Sequence, residues 1–351
     1  MKKAIDLFAG VGGLSLGFEQ AGFDVVWANE FNTAIAKAYA QNHPKTHIDT
    51  RDIRQIDLKY ELSKYAGCID VVMGGPPCQG FSQKGKRIGL NDERNFMFQK
   101  FVEVVSIVEP KFFVLENVPN ILTASNGYFK DQIIDNFEKL GYYIEVKILK
   151  AENYGIPQIR RRAVFVGKLG SALKYKLPDS ANTPVCVEDA ISDLPTLLSG
   201  EGTNFIAYNQ PPVSEYQKKM RQNSSGIWNH IATNHSKVAL KRLKYVSLNS
   251  TKDDLPLKQR TKSIYSGTWT RINPKGFART ITTRFDTPAS GQFTLPFQDR
   301  CLTVREAARL QSFPDTFIFY GNKTEQMLQV GNAVPPTLAK VIAETILKNS
   351  D

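Results

Sequence analysis

Ile69-Asp70-Val71-Val72-Met73-Gly74-Gly75-Pro76-Pro77-Cys78-Gln79-Gly80-Phe81-Ser82 decides how the rest of this chain is read. Its first five residues form a short, valine-rich apolar run, the mark of a buried strand. Helix cannot follow, because two prolines and three glycines break it. Cys78 therefore stands in a loop at the end of a strand, where ligand sites of open α/β sheets form. A thiol that only filled a core would lie inside an apolar segment. An inert loop cysteine is the competing reading of this segment taken alone.

Working outward, the first half alternates short apolar runs with helical patterns. Strands are expected at 4–8, 25–28, 71–73, 112–115, 144–149 and 163–166, with a third strand before Asp52. Helices are expected at 14–20, 33–41, 96–108 and 131–139. This alternation implies an α/β fold with a doubly wound, mostly parallel sheet. Near residue 170 the character changes. From 178 to about 298 no clear period remains, and Asn, Ser, Thr, Lys and Pro are frequent. That is too long for a loop in a compact domain, so a second, smaller, irregular domain is expected. Regular helix returns at 303–311 and 325–347. The domain limits read in this way are 1–170 plus 320–351 for the first and 171–319 for the second.

The 351 residues can hold one large domain or two ordinary ones. No stretch approaches the roughly 20 apolar residues of a membrane span. Met1-Lys2-Lys3 opens like a signal peptide, but Asp6 and a glycine-rich turn interrupt it at once. Cys68, Cys78, Cys186 and Cys301 are scattered, with no CxxC pair. A disulfide framework or cysteine-based zinc site is not expected, no metal is expected, and a reducing cytoplasm fits. The net charge is +11. Residues 1–150 carry 18 basic and 18 acidic side chains, and residues 151–351 carry 27 and 16. Between Lys218 and Arg284 there are 15 basic residues against Asp253 and Asp254 alone. Interleaved with Tyr245, Tyr265, Trp269, Phe277 and Phe285, this bias points to a polyanion surface. A solvated basic face is the plainer alternative.

The first strand runs into Asp6-Leu7-Phe8-Ala9-Gly10-Val11-Gly12-Gly13 and then a helix. The glycines let the backbone turn tightly and approach a ligand. This is neither the dinucleotide GxGxxG pattern nor a phosphate loop, since no Gly-Lys-Ser/Thr follows. An ordinary βα turn is the alternative. Glu30 ends the second strand, well placed for ribose hydroxyls. Asp52 follows the third and could accept from an adenine amine. Acids and glycines without a phosphate-binding lysine suit an adenosine lacking phosphates, such as S-adenosylmethionine. Glu116 ends the strand 112–115 and reads alone as a candidate acid, a surface carboxylate or a helix cap. In Gln158-Ile159-Arg160-Arg161-Arg162, alternate residues Gln158, Arg160 and Arg162 share a face if the segment is extended. A basic turn is the equal alternative.

Taken together, these segments resemble the DNA cytosine-5 methyltransferase family. The match runs through residues 6–13, Glu30, Asp52-Ile53, residues 75–82, Glu116-Asn117-Val118 and Gln158-x-Arg160-x-Arg162. It continues with Arg305-Glu306-Ala307-Ala308-Arg309-Leu310 and Gly331-Asn332-Ala333-Val334-Pro335, in the family's order. The size resembles the compact bacterial enzymes that accompany restriction endonucleases. The resemblance implies a Rossmann-like methyltransferase domain followed by a target recognition domain. It implies Cys78 as the nucleophile at cytosine carbon 6, Glu116 at ring nitrogen 3, and Arg162 on the cytosine carbonyl. Arg160 would orient Glu116 or the DNA backbone. S-adenosylmethionine would be bound by Asp6, Phe8, Ala9, Gly10, Gly12, Gly13, Glu30, Phe31, Asp52, Ile53, Pro76, Met97, Asn332 and Val334. Gln79, Ser82, Lys84, Lys86 and Arg87 in a closing loop, and Arg279, Thr282 and Arg284 in a strand-like segment 280–284, would meet duplex DNA. The implied protein is a monomer of the bacterial cytoplasm, functionally paired with an endonuclease.

Two other readings share the scaffold: a transfer-RNA cytosine-5 methyltransferase and a non-catalytic DNA binder. Relatives acting on transfer RNA usually depart from the Pro-Cys-Gln motif kept here, and the catalytic positions are all filled. A thiol hydrolase would need a histidine partner, and His43, His47, His230 and His235 sit in unconvincing contexts.

Overall fold

In a computed structural model the chain forms two compact units. The first comprises Met1–Lys150, Arg161–Ala181 and Pro336–Asp351, and the second Ala151–Arg160 and Asn182–Pro335. The structure describes residues 1–77, 95–262 and 266–350.

The first unit opens with β1 (Lys2–Leu7), α1 (Gly13–Gln20), β2 (Phe23–Asn29), α2 (Thr33–Asn42), β3 (His47–Asp49) and α3 (Leu58–Leu62). It continues with β4 (Val71–Gly74), α4 (Asn95–Val108), β5 (Phe112–Asn117), α5 (Tyr128–Lys139), β6 (Tyr142–Lys150) and β7 (Arg161–Leu169). The seven strands form one sheet in the order β3-β2-β1-β4-β5-β7-β6. Every pairing from β3 to β5 is parallel, and β7 runs antiparallel between β5 and β6. The α/β, mostly parallel sheet expected from the sequence is thus present. β4 and β5 are buried along their whole length, as befits strands covered on both faces. On one of those faces Phe113 stacks on Phe137 at a centroid distance of 3.8 Å, with Phe101 and Tyr142 edge-on. Gly167 lies opposite Phe113 in the sheet, and a Cβ there would run into that ring.

The second unit holds α6 (Val187–Ile191), the antiparallel hairpin β8 (Gly202–Ala207) and β9 (Gly226–Ile231), with α7 (Glu215–Arg221) between them, then α8 (Lys237–Leu243), α9 (Val304–Leu310) and α10 (Lys323–Asn332). Its elements are short, which is why the sequence shows little period there. The chain then returns to the first unit as α11 (Pro336–Lys348). One helix over 325–347 was the expectation, and two are found. The break falls at Ala333-Val334-Pro335, because Pro335 cannot continue α10. Pro336 opens α11, where its missing N–H costs nothing.

α11 packs on α1 through Gly17, where a Cβ would strike Ala339 Cβ and the Pro336 carbonyl. Gly17→Val is therefore expected to destabilise the first unit by about 2–3 kcal/mol, the cost of overpacking a tight contact. Thermal unfolding against the parent protein measures it.

Two details of the second unit correct the reading of its charge and aromatics. Trp269 and Phe285 are buried, Trp269 beside Leu243, Val246 and Leu255, so they are core rather than surface stacking groups. Tyr265 lies outside the described residues. Arg271 is buried too, donating to the carbonyls of Val246, Leu295, Gln298 and Leu243. Residues 280–284 form no strand: the nearest pairing is an isolated bridge between Ala278 and Gln158.

Candidate active site

The first unit gathers its candidate residues at one sheet edge. Leu7, Gly74 and Leu115 stand side by side across β1, β4 and β5. These parallel strands therefore release their loops in the same direction, where ligands of such sheets bind.

After β1 the chain turns through Phe8, Gly10 and Gly12, with φ of 57°, 57° and 93°. Phe8 in this left-handed region is strained by about 1 kcal/mol or more, a cost tolerated where surrounding structure fixes it. A Cβ on Gly12 would collide with the rings of His43 and Tyr39, so only glycine lets the turn lie on them. Ala9 N–H donates to the Asn29 carbonyl at 3.0 Å. The Glu30 carboxylate accepts from Gly10 N–H at 3.1 Å and Asn32 N–H at 2.8 Å. Burial raises the Glu30 pKa despite those bonds. Gly13 begins α1. Phe31 follows with 66% of its surface exposed. Asp52 accepts from Arg54 N–H and pairs with the Arg54 guanidinium at 2.5 Å, which holds its carboxyl below the usual range. Ile53 beside it is buried.

The Asp6 side chain is 0% exposed and lies beneath the turn. It accepts from the Ser15 hydroxyl at 2.7 Å, and Ser15 is 2.8 Å from the Tyr39 hydroxyl. Burial pushes the Asp6 carboxyl up to about 7. Ser15 and Tyr39 escaped the sequence reading. No spacing rule joins positions 6, 15 and 39, which meet only through the βαβ packing.

At the next strand ends, Glu116 Oε1 lies 2.7 Å from Arg162 Nε. The two side chains are 10% and 15% exposed, so the pair is weakly screened. Arg162 also donates to the Arg161 carbonyl at 2.8 Å, which fixes its direction. Asn117 Nδ2 donates to the buried Pro76 carbonyl at 2.9 Å. A Cβ on Gly75 would come within 3.2 Å of Glu116 Oε2. The segment leading to Cys78 thus runs directly past Glu116. Cys78 itself lies outside the described residues, as do Gln79, Ser82, Lys84, Lys86 and Arg87. Met97, on α4, is half-buried against the apolar core.

Burial alternates along this segment: Gln158 and Arg160 are buried, Ile159 and Arg161 exposed, and Arg162 intermediate. Gln158 and Arg160 belong to the second unit and both grip Ile281. Gln158 accepts from its N–H at 3.0 Å, and Arg160 donates to its carbonyl at 3.1 Å. Arg160 also donates to the carbonyls of Gly331 and Ala333 at 3.1 and 2.9 Å. Arg160 is buried, at 1% exposure. Asn332 is exposed at the end of α10, and Val334 is buried just beyond it. Arg279, Thr282 and Arg284 are exposed. Arg284 Nε lies 3.6 Å from Asp286 Oδ1.

The motif at 305–310 is structural. α9 begins with a Thr303–Glu306 capping box. Arg300 pairs bidentately with Glu306 at 2.8 and 2.9 Å. Arg309 pairs with Asp315 at 2.6 Å and with Asp193 at 3.2 Å. No helix among the described residues is long and apolar enough to cross a membrane.

The profile of a family described as C-5 cytosine-specific DNA methylase matches residues 2–348. The Type II methyltransferase M.DdeI of Desulfomicrobium norvegicum is 37% identical over 368 residues, covering 97% of this chain and 88% of that protein. The Type II methyltransferase M1.HphI of Haemophilus parahaemolyticus is 37% identical over 353 residues, covering 98% and 86%. A prophage-encoded E. coli protein, assigned as a DNA modification methyltransferase, has a crystal structure that superposes with a TM-score of 0.81. It is 29% identical, with 100% of this chain and 99% of that one covered.

Proposed function

The chain belongs to the C-5 cytosine-specific DNA methylase family, and from that premise we propose that it methylates carbon 5 of a flipped-out cytosine in one short duplex DNA site, using S-adenosylmethionine. The observation that carries the chemistry is the Glu116–Arg162 pair, 2.7 Å apart at the end of β5. It stands beside the Gly75-Pro76 segment that leads to Cys78.

The sheet edge fits an adenosine cofactor without phosphates. Glu30 and Asp52 offer carboxylate oxygens for hydroxyls and an amine, Phe31 offers an open ring face, and Gly12 permits a turn no other residue would. Gly10 and Gly13 complete that turn, and Ala9 and Phe8 would border the methionine part. Ile53, Pro76, Met97, Asn332 and Val334 would line the remainder. S-adenosylmethionine supplies an electrophilic methyl group when bound.

The residues of this chain do the rest. The Cys78 thiolate adds to cytosine carbon 6, which makes the ring an enamine nucleophilic at carbon 5. Glu116 holds the proton at ring nitrogen 3, where charge develops. Arg162, aimed by Glu116 and the Arg161 carbonyl, donates to the cytosine carbonyl oxygen and stabilises that charge. Once carbon 5 carries the methyl group, a base removes its proton and the Cys78–carbon 6 bond breaks, restoring the thiolate and the aromatic ring. The target base must leave the stack for these groups to reach it. Arg160 acts at one remove, as a positioning residue of the second unit.

In the second unit Arg279, Thr282 and Arg284 would contact DNA, with Gln79, Ser82, Lys84, Lys86 and Arg87 from the loop after Cys78. DNA affinity is expected to fall by about 10³-fold between 50 and 200 mM salt, as for six or so phosphate contacts. A titration by fluorescence anisotropy checks this, and a flat response contradicts the basic surface. The names of the Type II relatives support a protective role beside a restriction endonuclease, and we read the protein as a monomer of the bacterial cytoplasm. Bisulfite sequencing of random-sequence plasmid DNA, treated with protein and S-adenosylmethionine, tests the whole reading. One short motif carrying 5-methylcytosine supports it. No protected cytosine, with cofactor still bound, moves the reading to RNA or to a silent binder.

A further inference from the structure

Beneath the turn at Phe8–Gly13 a carboxylate is sealed away from water with half its bonding capacity unused. Asp6 Oδ2 accepts from Ser15, but Asp6 Oδ1 is buried and has no hydrogen-bond partner. The neighbouring strands place Ala28 and Met73 beside it, neither charged. From α1 come Ser15 and Glu19, from the end of β2 Glu30, and from α2 Tyr39. His43, the residue that caps the end of α2, pairs with Glu19 at 2.9 Å and lies with its ring on Tyr39 at 4.4 Å. Asp6 is thus surrounded by other carboxylates and neutral hydroxyls. A buried carboxyl in such company keeps its proton to higher pH.

We propose that Asp6 is a positioning residue for the Phe8–Gly13 turn and that it releases its proton when the cationic sulfonium cofactor settles over that turn. The inference rests on the cofactor reading above. Its physics is linkage: a positive ligand near a buried acid favours the ionised form, and the ionised form then favours the ligand equally. The Ser15 hydroxyl, with Tyr39 hydroxyl behind it, is the donor set that stabilises the new charge. The sign follows from the raised carboxyl, pushed up to about 7 in the free protein. Below that pH the proton must be expelled for binding, so affinity weakens as pH falls. Above it the carboxylate is already ionised and the dependence ends.

Isothermal titration calorimetry with S-adenosylmethionine, in buffers of different ionisation enthalpy from pH 5.5 to 7.5, tests this. The expected results are net proton release at pH 6 and binding about fivefold to tenfold tighter at pH 7.5 than at 5.5. S-adenosylhomocysteine, which lacks the sulfonium charge, is expected to release fewer protons. Asp6→Asn is expected to abolish the release and flatten the profile relative to the parent protein, which also cancels any titration of the ligand's own amine. If Asp6→Asn does not fold, Ser15→Ala serves. It removes the hydroxyl's hydrogen bond, the larger of the two from Ser15 that lower the Asp6 carboxyl, so the midpoint should move to higher pH. Unchanged proton release in Asp6→Asn, or an unmoved midpoint in Ser15→Ala, overturns the proposal. Failure of the parent protein to bind the cofactor at any pH overturns instead the cofactor reading on which it stands.

Discussion

Cys78→Ala is expected to reduce methyl transfer at least about 10⁴-fold, to the background of the assay, while leaving S-adenosylmethionine affinity within a few-fold of the parent. The size follows from the chemistry. Carbon 5 of cytosine is too poor a nucleophile to take a methyl group until a thiolate has added at carbon 6, so losing the nucleophile loses the route rather than a fraction of it. Most of the cofactor residues proposed above, Phe8 to Gly13 and Glu30-Phe31 among them, follow other strands, β1 and β2. Single-turnover transfer of tritiated methyl to plasmid DNA, beside calorimetric cofactor binding, separates the two effects. Retained transfer in this variant would remove Cys78 from the mechanism.

Much of the first unit was legible because its code is local. Apolar runs of four to six residues mark β4 and β5, each followed by residues that cannot continue a strand. The Asp6–Gly13 turn is likewise marked by its own glycines. The Cys78, Glu116 and Arg162 assignments needed the ordered combination of motifs, since each segment alone had an ordinary alternative. The network under the turn was not legible, because Asp6, Ser15 and Tyr39 are joined by the packing of three elements. The second unit was legible only as a change of character. Its core is held by buried arginines bonded to carbonyls and carboxylates, and charge in a sequence reads as surface. Arg271 and Arg309 therefore read as part of the basic excess although both are internal. The proline break between α10 and α11 was legible in principle, as Pro335-Pro336. The apolar pattern that resumes immediately after it masks the break.

Arg160 and Arg162 stand two residues apart, and their replacement by alanine is expected to fail in different ways. The Arg160 guanidinium donates to three buried carbonyls, those of Ile281, Gly331 and Ala333. Its loss leaves all three without a partner in a site closed to water. At about 1–3 kcal/mol for each stranded group, with some relief by relaxation, a loss of about 3–5 kcal/mol in the second unit is expected. That is a large share of the 5–15 kcal/mol that keeps a domain folded. Arg160→Ala should therefore lower the denaturation midpoint or yield little soluble protein, and Arg160→Lys should recover part of the loss, since one ammonium cannot span three carbonyls. Arg162 spends its guanidinium on Glu116 and a neighbouring carbonyl, at a partly accessible edge. Arg162→Ala should fold close to normally, because removing that side chain opens a way for water to the Glu116 it abandons. It should lose about 10²–10³-fold in turnover, the scale of removing one donor from a developing charge. Chemical denaturation and single-turnover kinetics on both variants distinguish the cases. A stable, inactive Arg160→Ala would return Arg160 to the chemistry, and an unstable Arg162→Ala would make the Glu116 pair a structural one.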